Sequence, residues 1–227
     1  MKKIASISLF LTLFALGVQA QEPVNPLKLS AQLDSASYAI GASISFDLKS
    51  RGLSVLNYAA LVQAMQDVFA GKNPQITMQD GQQAIMAYFT SLKKKQEEPL
   101  IAAAASFLAE NKKKKGVITL PSGLQYEILT AAKGAKPKST DSVTVHYKGT
   151  LTDGKQFESS YERNQPATLS LTQVIQGWVE GLQLMSVGAK YRFYIPYQLG
   201  WGANGAGQDI PPYSVVIFEI ELLKIAQ

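Results

Sequence analysis

The sequence predicts an α+β protein in which a helical N-terminal part precedes an antiparallel sheet that carries one short helix. Apolar residues recur at helical intervals from Leu33 to about Lys115. After Gly116 the period changes to the alternation typical of strands, and turn signals such as Asp153-Gly154 separate the alternating runs. The length of 227 residues, of which 46% are hydrophobic and 17% charged, allows one or two globular domains.

Residues 1–20 have the pattern of a secretory signal peptide. Two lysines come first, an uncharged apolar run follows from Ile4 to Val18, and small residues surround Ala20. An uncleaved membrane anchor is the alternative, although a membrane span needs about 20 apolar residues. We expect cleavage after Ala20, a flexible segment over residues 21–32, and export to the periplasm or another extracytoplasmic space, with an outer-membrane location left open.

Charge and composition exclude several classes of function. Loss of residues 1–20 removes two lysines and lowers the net charge from +5 to +3, which is too small to indicate nucleic-acid binding. There is no cysteine, and one histidine, His146, shares a predicted strand face with Thr144 and Lys148, so we expect it to be exposed. We expect no metal and no cofactor. The glycine-rich segment 202–208 precedes two prolines rather than a helix, which argues against a phosphate site.

The helical part, predicted over residues 33–92, divides into three helices. The first has Asp34 as its N-cap and is closed by Gly52. The second runs from about Leu56 to Gly71. The third starts after Thr77, where the segment TMQD has the spacing of a capping box.

The third helix is predicted to continue as a solvated connecting helix over residues 93–115. The segments KKKQEE and AAAA form helices well but offer little surface to bury. Pro99 predicts a kink or break near Glu97 and Glu98, and the lysines 112–115 suit a helix C-terminus. Because these helices bury little in one copy, we expect a homodimer that covers the apolar faces around Tyr38, Ile44, Met65, Phe69 and Phe89.

Residues 116–227 are long enough for a sheet domain with its own core. One short helix is predicted at about Thr172 to Gly181. The predicted strands are Leu124 to Leu129, Ser142 to Thr150, Ala167 to Leu171, Lys190 to Pro196 and Ser214 to Ile225.

Three aromatic-rich stretches of this domain carry a family resemblance: VHYKGTLTDGKQFESS (145–160), VIQGWVEGLQLMSVGAK (174–190) and GWGANGAGQDIPPYSVVIFEIELL (200–223). They resemble the FKBP-type peptidyl-prolyl isomerases. The N-terminal part resembles the macrophage infectivity potentiator-like branch through SYAIGASISFDLKSRG, MQDVFAG, FLAENKKKKGV and LPSGLQYEIL. The resemblance implies secreted dimers intertwined through the N-terminal helices, with a long helix leading to an FKBP-like domain.

The resemblance also implies a site, whereas the residues alone would be interpreted as the core of a small sheet domain. Trp178 would form the floor of a pocket, and Val174 and Ile175 its rim. The implied catalytic residues are Tyr147, Phe157, Glu158, Trp178, Trp201 and Phe218, and the implied substrate-binding residues are Val174, Ile175, Ile210 and Ala167.

Three positions depart from the family pattern. Glu158 stands in place of an aspartate, Trp201 in place of a tyrosine whose hydroxyl lies near the substrate carbonyl, and Ala167 in place of a frequent aromatic residue. The resemblance also implies a macrolide of the rapamycin type as a ligand. The three departures bear on how tightly such a macrolide binds.

Two functions follow for the exported protein. The first is a peptidyl-prolyl cis-trans isomerase that acts on proline-containing, unfolded or flexible polypeptides. The second is a peptide-binding chaperone whose helical dimer forms a cleft and whose pocket turns over weakly or not at all. The departures at Glu158 and Trp201 favour the chaperone, whereas the retained aromatic residues favour the isomerase.

Overall fold

A computed structural model describes residues 28–226, so the proposed signal peptide and most of the proposed flexible segment lie outside the described residues. The chain divides into two compact units between Ser54 and Val55. The first unit contains helix α1, and the second contains the other helices and the sheet. In residues 28–226, no helix has the length and apolarity that a bilayer crossing requires.

Helix α1 spans Gln32–Ser50 and has no buried residue. Asp34 is not its N-cap, as the sequence predicted, but the third residue of the helix. Its carboxylate accepts a hydrogen bond from the backbone N–H of the true N-cap, Ala31, at 3.0 Å. An acidic residue stabilises a helix both as the N-cap and as a residue of the first turn. The sequence pattern does not distinguish these two positions, so the predicted start of the helix was three residues too late. Gly52 follows the helix with φ of 90°, as predicted.

Helices α2 and α3 begin at side-chain caps. α2 spans Tyr58–Phe69, and the Asn57 side chain accepts from the backbone N–H of Ala60 at 3.1 Å. α3 spans Met78–Asn111, and the predicted cap Thr77 accepts from the N–H of Asp80 at 3.1 Å.

The predicted break at Pro99 is wrong, because α3 is helical on both sides of it through 34 residues. Proline removes the hydrogen bond that the carbonyl of Lys95 would accept, but Lys95 and Pro99 are both exposed, so water can satisfy that carbonyl. The helix ends at Asn111 with Lys112 as its C-cap. The lysines 112–115, which were expected at the helix C-terminus, begin at this C-cap and continue into the turn beyond it.

The second unit contains a seven-stranded antiparallel sheet in the order β1-β2-β6-β7-β3-β4, with β5 paired to β3. All five predicted strands are present. Two shorter strands, β1 and β4, were not predicted because two and four residues show no clear alternation. The strands are β1 Ile118–Thr119, β2 Gln125–Thr130, β3 Ser142–Leu151, β4 Gln156–Ser159, β5 Ala167–Ser170, β6 Lys190–Ile195 and β7 Val216–Ala226.

One short helix packs on this sheet. α4 spans Gln176–Leu182, and the predicted start at Thr172 is instead part of a 3₁₀ turn, Leu171–Gln173. Trp178 and Leu182 of α4 join the buried side chains of the sheet in one apolar core. Burial of this kind is the main stabilising term of such a domain.

The end of α3 packs against the sheet. Asn111 is almost fully buried, and its Nδ2 donates to Gln125 Oε1 at 2.9 Å. Gln125 Nε2 in turn donates to the carbonyl of Leu108 at 2.9 Å, and the ring of Phe107 lies 6.2 Å from that of Tyr194. Ala104 is also buried, so the alanine run buries more than the sequence indicated.

Candidate active site

A cavity of about 540 Å³ opens beside α4. Nine of the ten residues that the resemblance implied line it, and its remaining lining residues are Leu169, Gln173, Ala206, Gly207 and Asp209. Ala167 is the exception. Leu169 lines the cavity from the same face of β5, because its side chain extends three carbon atoms beyond the Cβ at which Ala167 ends.

Trp178 and Phe218 are the most deeply buried aromatic residues of the cavity, with 4% and 3% of their surfaces exposed. Trp178 meets Tyr147 and Phe218 edge to face, with both pairs of ring centroids 5.1 Å apart. This is the arrangement that aromatic quadrupoles favour. Among the described residues, Trp178 Nε1 has no hydrogen-bond partner. The floor of the cavity is therefore aromatic, with one buried N–H donor that no described residue satisfies.

The wall formed by Phe157 depends on Gly149 of β3. The Phe157 ring meets Trp201 and Phe218 edge to face, at 5.9 and 5.5 Å between centroids. A Cβ at Gly149 would lie 2.7 Å from the Phe157 ring and 2.8 Å from the Phe218 ring. Only glycine leaves the two rings room to meet over the strand, which gives a physical reason for the glycine in the segment VHYKG.

The polar part of the rim is an ion pair. Arg163 donates to the carboxylate of Glu158 and makes a longer hydrogen bond, 3.4 Å, to the hydroxyl of Tyr147. The Glu158 carboxylate also accepts from the N–H of Ser159 at 3.0 Å. These interactions, with the bond to Glu158 the largest, raise the pKa of Arg163 above its ordinary value. Glu158 is thus held by two donors, and it reaches them despite the extra methylene.

Sequence reasoning missed Arg163 and Asp209. Arg163 lies in the turn after β4, and Asp209 lies on the glycine-rich loop, where it pairs with Lys155 at 3.1 Å. Neither is part of an alternating pattern, so only the loop conformations bring them to the rim. The usable signal for Arg163 was a basic residue shortly after Glu158 within a turn.

His146 does not line the cavity, and the prediction that it is exposed is wrong. It is half-buried, its Nδ1 lies 2.9 Å from Ser160 Oγ, and its ring stacks on Tyr161 at 4.6 Å. Ser160 Oγ also accepts from the N–H of Tyr147 at 2.8 Å. His146 therefore belongs to a structural network that holds β3 to the turn after β4, behind the cavity.

Two family models match the chain. Residues 133–223 match the model described as FKBP-type peptidyl-prolyl cis-trans isomerase. Residues 33–128 match the model described as the domain amino terminal to FKBP-type peptidyl-prolyl isomerase. The chain is 39% identical over 193 residues to the FKBP-type 22 kDa peptidyl-prolyl cis-trans isomerase of Escherichia coli K12, an alignment that covers 84% of this chain and 94% of that protein.

The chain belongs to the FKBP-type peptidyl-prolyl cis-trans isomerase family. Membership confirms the resemblance and the enzyme class, an isomerase, that it implied. The chain is also 38% identical to a protein named outer membrane protein MIP from Legionella longbeachae, with 91% of both chains covered. A 54% identical match to FkpA of Aeromonas hydrophila covers 49% of this chain and 41% of that protein.

The FKBP-type fold is also found among solved structures. The crystal structure of FkpA from Escherichia coli matches with a TM-score of 0.58 and 34% identity, covering 87% of this chain and 98% of that one. A crystal structure of a peptidyl-prolyl cis-trans isomerase from Pseudomonas syringae matches with a TM-score of 0.55 and 42% identity over 57% of this chain and 96% of that one. The predicted α+β architecture is confirmed.

Proposed function

We propose that the protein accelerates the folding of secreted proteins by binding X-Pro segments in the aromatic cavity and isomerising the prolyl bond there. The observation that carries this proposal is the apolar floor of Trp178 and Phe218, each at least 96% buried yet lining an open cavity. The named activities of the relatives support it. They do not favour the chaperone without turnover.

The chemistry fits a cavity that has no serine, threonine, cysteine, lysine or histidine among its lining residues. Rotation about a peptide bond faces a barrier of about 18–20 kcal/mol because the amide loses its resonance. Water stabilises the planar form by hydrogen bonding to its polarised carbonyl. An apolar site that removes this water and fits the twisted form better than the planar one lowers the barrier without a covalent step.

The polar groups then act on the substrate backbone. The indole N–H of Trp201 is a donor at the rim, in place of the hydroxyl found in the family pattern. The Tyr147 hydroxyl is held beside Arg163. Glu158, paired with Arg163, holds the arginine beside the Tyr147 hydroxyl rather than transferring a proton.

The test is a protease-coupled assay of a proline tetrapeptide with the purified mature chain. Trp178→Ala and Phe218→Ala should each lower kcat/KM by about tenfold or more, because each removes an aromatic wall of the cavity and admits water. A tenfold loss corresponds to about 1.4 kcal/mol of transition-state stabilisation. Trp178→Leu keeps an apolar side chain at the floor and serves as the variant that should still fold. Thermal unfolding shows whether each of the three variants is folded.

His146→Ala is the matched control, because His146 lies in β3 next to Tyr147 but does not line the cavity. Its kcat/KM should match that of the wild type. Loss of turnover in His146→Ala with retention in Trp178→Ala would indicate acid–base catalysis. If the wild type and all variants are inactive but suppress the aggregation of an unfolded protein, the chaperone is the correct function.

We also propose that the protein acts as an exported homodimer. The large apolar residues of α1 and α2 are exposed in the single chain, including Tyr38 at 62% and Phe69 at 91%. A second copy would cover them. Light scattering of the mature chain at micromolar concentration should give the mass of two chains, and a monomer mass would refute this.

Export and macrolide binding complete the proposal. The signal-like residues 1–20 and the relative named as an outer membrane protein support a periplasmic or outer-membrane location. Expression in a bacterium followed by osmotic-shock fractionation and N-terminal sequencing should give mature protein that begins at Gln21.

Titration with rapamycin should inhibit the isomerase if Trp201 and Glu158 leave room for the macrolide.

A further inference from the structure

The charged residues that line the active-site cavity are acidic. Glu158 on β4 and Asp209 on the glycine-rich loop belong to the lining, and among the described residues no lysine, arginine or histidine does. Each acidic residue pairs with a cation that stands outside the lining. Arg163 binds Glu158, and Lys155 binds Asp209. Both ion pairs therefore present their negative partner to a polypeptide in the cavity.

The two carboxylates differ in how fully they are bound. Glu158 accepts from the guanidinium of Arg163 and from the N–H of Ser159 at 3.0 Å. Asp209 accepts, among the described residues, from the Lys155 ammonium alone, at 3.1 Å. Its side chain is 67% exposed and that of Lys155 is 52% exposed, so solvent weakens their attraction. Asp209 is therefore the carboxylate that can still attract a charge on the substrate.

The loop backbone holds Asp209 in place at the cavity. Ala206 and Ile210 exchange two backbone hydrogen bonds, at 2.8 and 3.1 Å, which close a turn that contains Asp209. The turn is tightly packed, because a Cβ at Gly205 would lie 2.1 Å from the carbonyl oxygen of Ile210. Ile210, the next residue after Asp209, is buried and lines the cavity. The carboxylate thus stands next to an apolar wall that the substrate contacts.

Lys155 is held in an equally well-defined turn, between β3 and β4. Its N–H donates to Asp153 Oδ1 at 2.8 Å, and its carbonyl accepts from the N–H of Leu151 at 2.8 Å. From this turn the ammonium reaches Asp209 and offsets part of its charge. Removal of the ammonium should therefore strengthen the attraction of Asp209 for a cation, whereas removal of the carboxylate should abolish it.

We propose that Asp209 is a specificity-determining residue for prolyl isomerisation: its carboxylate favours polypeptides with a lysine or arginine close to the proline and disfavours those with an aspartate or glutamate there. The proposal rests on the proposed isomerase function and names a class of substrate within it. Lys155 moderates the preference, because its ammonium competes for the same carboxylate. The aromatic floor still binds the proline, so Asp209 selects among X-Pro segments by charge and takes no part in the rotation.

The test compares proline tetrapeptides that carry lysine, leucine or glutamate at the first or the second residue before the proline. The measured quantity is the ratio of kcat/KM for the lysine peptide to kcat/KM for the glutamate peptide, in the mature chain. Asp209→Asn should lower this ratio about 2- to 5-fold, as expected for a partly exposed charge pair. Lys155→Met should raise it by a similar factor. The double variant should match Asp209→Asn, because Lys155 acts only through the carboxylate.

Three controls separate charge from structure. Asp209→Glu keeps the charge and should keep the preference. Glu162→Gln removes a carboxylate that bonds Gln156 and does not line the cavity, so the ratio should not change. In 1 M salt the Debye length falls to about 3 Å, so the wild-type ratio should approach that of Asp209→Asn. The leucine peptide should be turned over equally by the wild type and Asp209→Asn.

An unchanged ratio in Asp209→Asn at both peptide positions would overturn the proposal, and so would an equal loss for the lysine, leucine and glutamate peptides. A ratio in Lys155→Met at or below that of the wild type would also overturn it. If the wild type turns over none of the peptides, the isomerase function fails separately. The same ratios are then measured as peptide Kd from the fluorescence of Trp178 and Trp201, which line the cavity. Equal Kd ratios in all variants would overturn the preference as well.

Discussion

The N-terminal helices and the C-terminal sheet are both rich in apolar residues, but only the sheet buries them within a single chain. Of the described residues, every buried apolar side chain except Ala104 lies at or after Leu124. α1 buries no residue, and α2 buries one aspartate, Asp67. The sheet completes its own core within one chain, whereas the helices keep large apolar side chains exposed. Sequence hydrophobicity alone therefore does not show whether a region folds independently.

The difference has a thermodynamic consequence. A region that buries its apolar surface within one chain has a stability that does not depend on concentration. A region that buries it against a second copy gains stability by mass action. The active-site cavity lies entirely in the sheet domain and the end of its loop, so catalysis should survive the loss of the dimer.

The largest expected effect compares two phenylalanines. Phe193 of β6 is 1% exposed and Phe69 of α2 is 91% exposed. Phe193→Ala should lower the free energy of unfolding of the sheet domain by about 3–5 kcal/mol through the cavity it leaves. Phe69→Ala should leave that free energy unchanged. Urea denaturation followed by tryptophan fluorescence measures both, because both tryptophans lie in the sheet domain.

Phe193→Leu keeps the domain folded if the alanine variant does not fold, and it should still lose stability. Equal effects at positions 193 and 69 would show that the Phe69 side chain stabilises the sheet domain, and the contrast between the two regions would be wrong.

The second largest effect is expected on dilution, which should lower the stability of the helical region but not that of the sheet. A hundredfold dilution should lower the stability of the helical region by about 2.7 kcal/mol if a second copy covers it, and should not change the unfolding of the sheet. Thermal unfolding at 1 and 100 μM, followed by far-UV circular dichroism for the helices and fluorescence for the sheet, measures both transitions. Phe69→Glu should shift light scattering toward the monomer mass. A concentration-independent helical transition would contradict the dimer.

A pair of truncations should locate the boundary between the regions. A chain from Gly116 to Gln227 is expected to fold as an active monomer. It lacks Asn111, however, and leaves Gln125 without its partner, so it should be about 1–3 kcal/mol less stable than a chain that starts at Gln96. Urea denaturation of both chains measures the difference. Equal stability would place the boundary at Gly116, whereas loss of cooperative unfolding in both would show that the sheet domain is not self-sufficient.

The elements that the sequence predicted well are those with long regular patterns. β3 and β7 were predicted within two residues at each end, because ten and eleven residues of alternation leave little freedom in register. Elements that depend on neighbours were missed or misplaced. β4 exists because β3 pairs with it, and α3 passes Pro99 because solvent replaces the lost hydrogen bond.

The site follows the same rule. The aromatic residues of the cavity lie on strands and on α4, so motif positions place them well. Arg163 and Asp209 lie in turns and loops, where the backbone conformation decides the direction of a side chain and the sequence pattern does not. Ala167 does not line the cavity, because the motif marks a position, whereas the length of the side chain decides whether that position reaches the cavity.

The smallest expected effect concerns Glu158 and restricts the comparison to the sheet domain. Glu158→Ala frees Arg163 beside the Tyr147 hydroxyl, so kcat/KM should fall by the equivalent of about 0.5–1.5 kcal/mol, the contribution of one hydrogen bond. Glu158→Asp keeps the charge and restores the family pattern, so it should retain or raise activity. Glu162→Ala is the matched control, because Glu162 lies in the same turn but bonds Gln156 outside the cavity lining. Equal kcat/KM for Glu158→Ala and Glu162→Ala would show that the ion pair is only structural, and a change of oligomeric state in either would show that the dimer reaches the site.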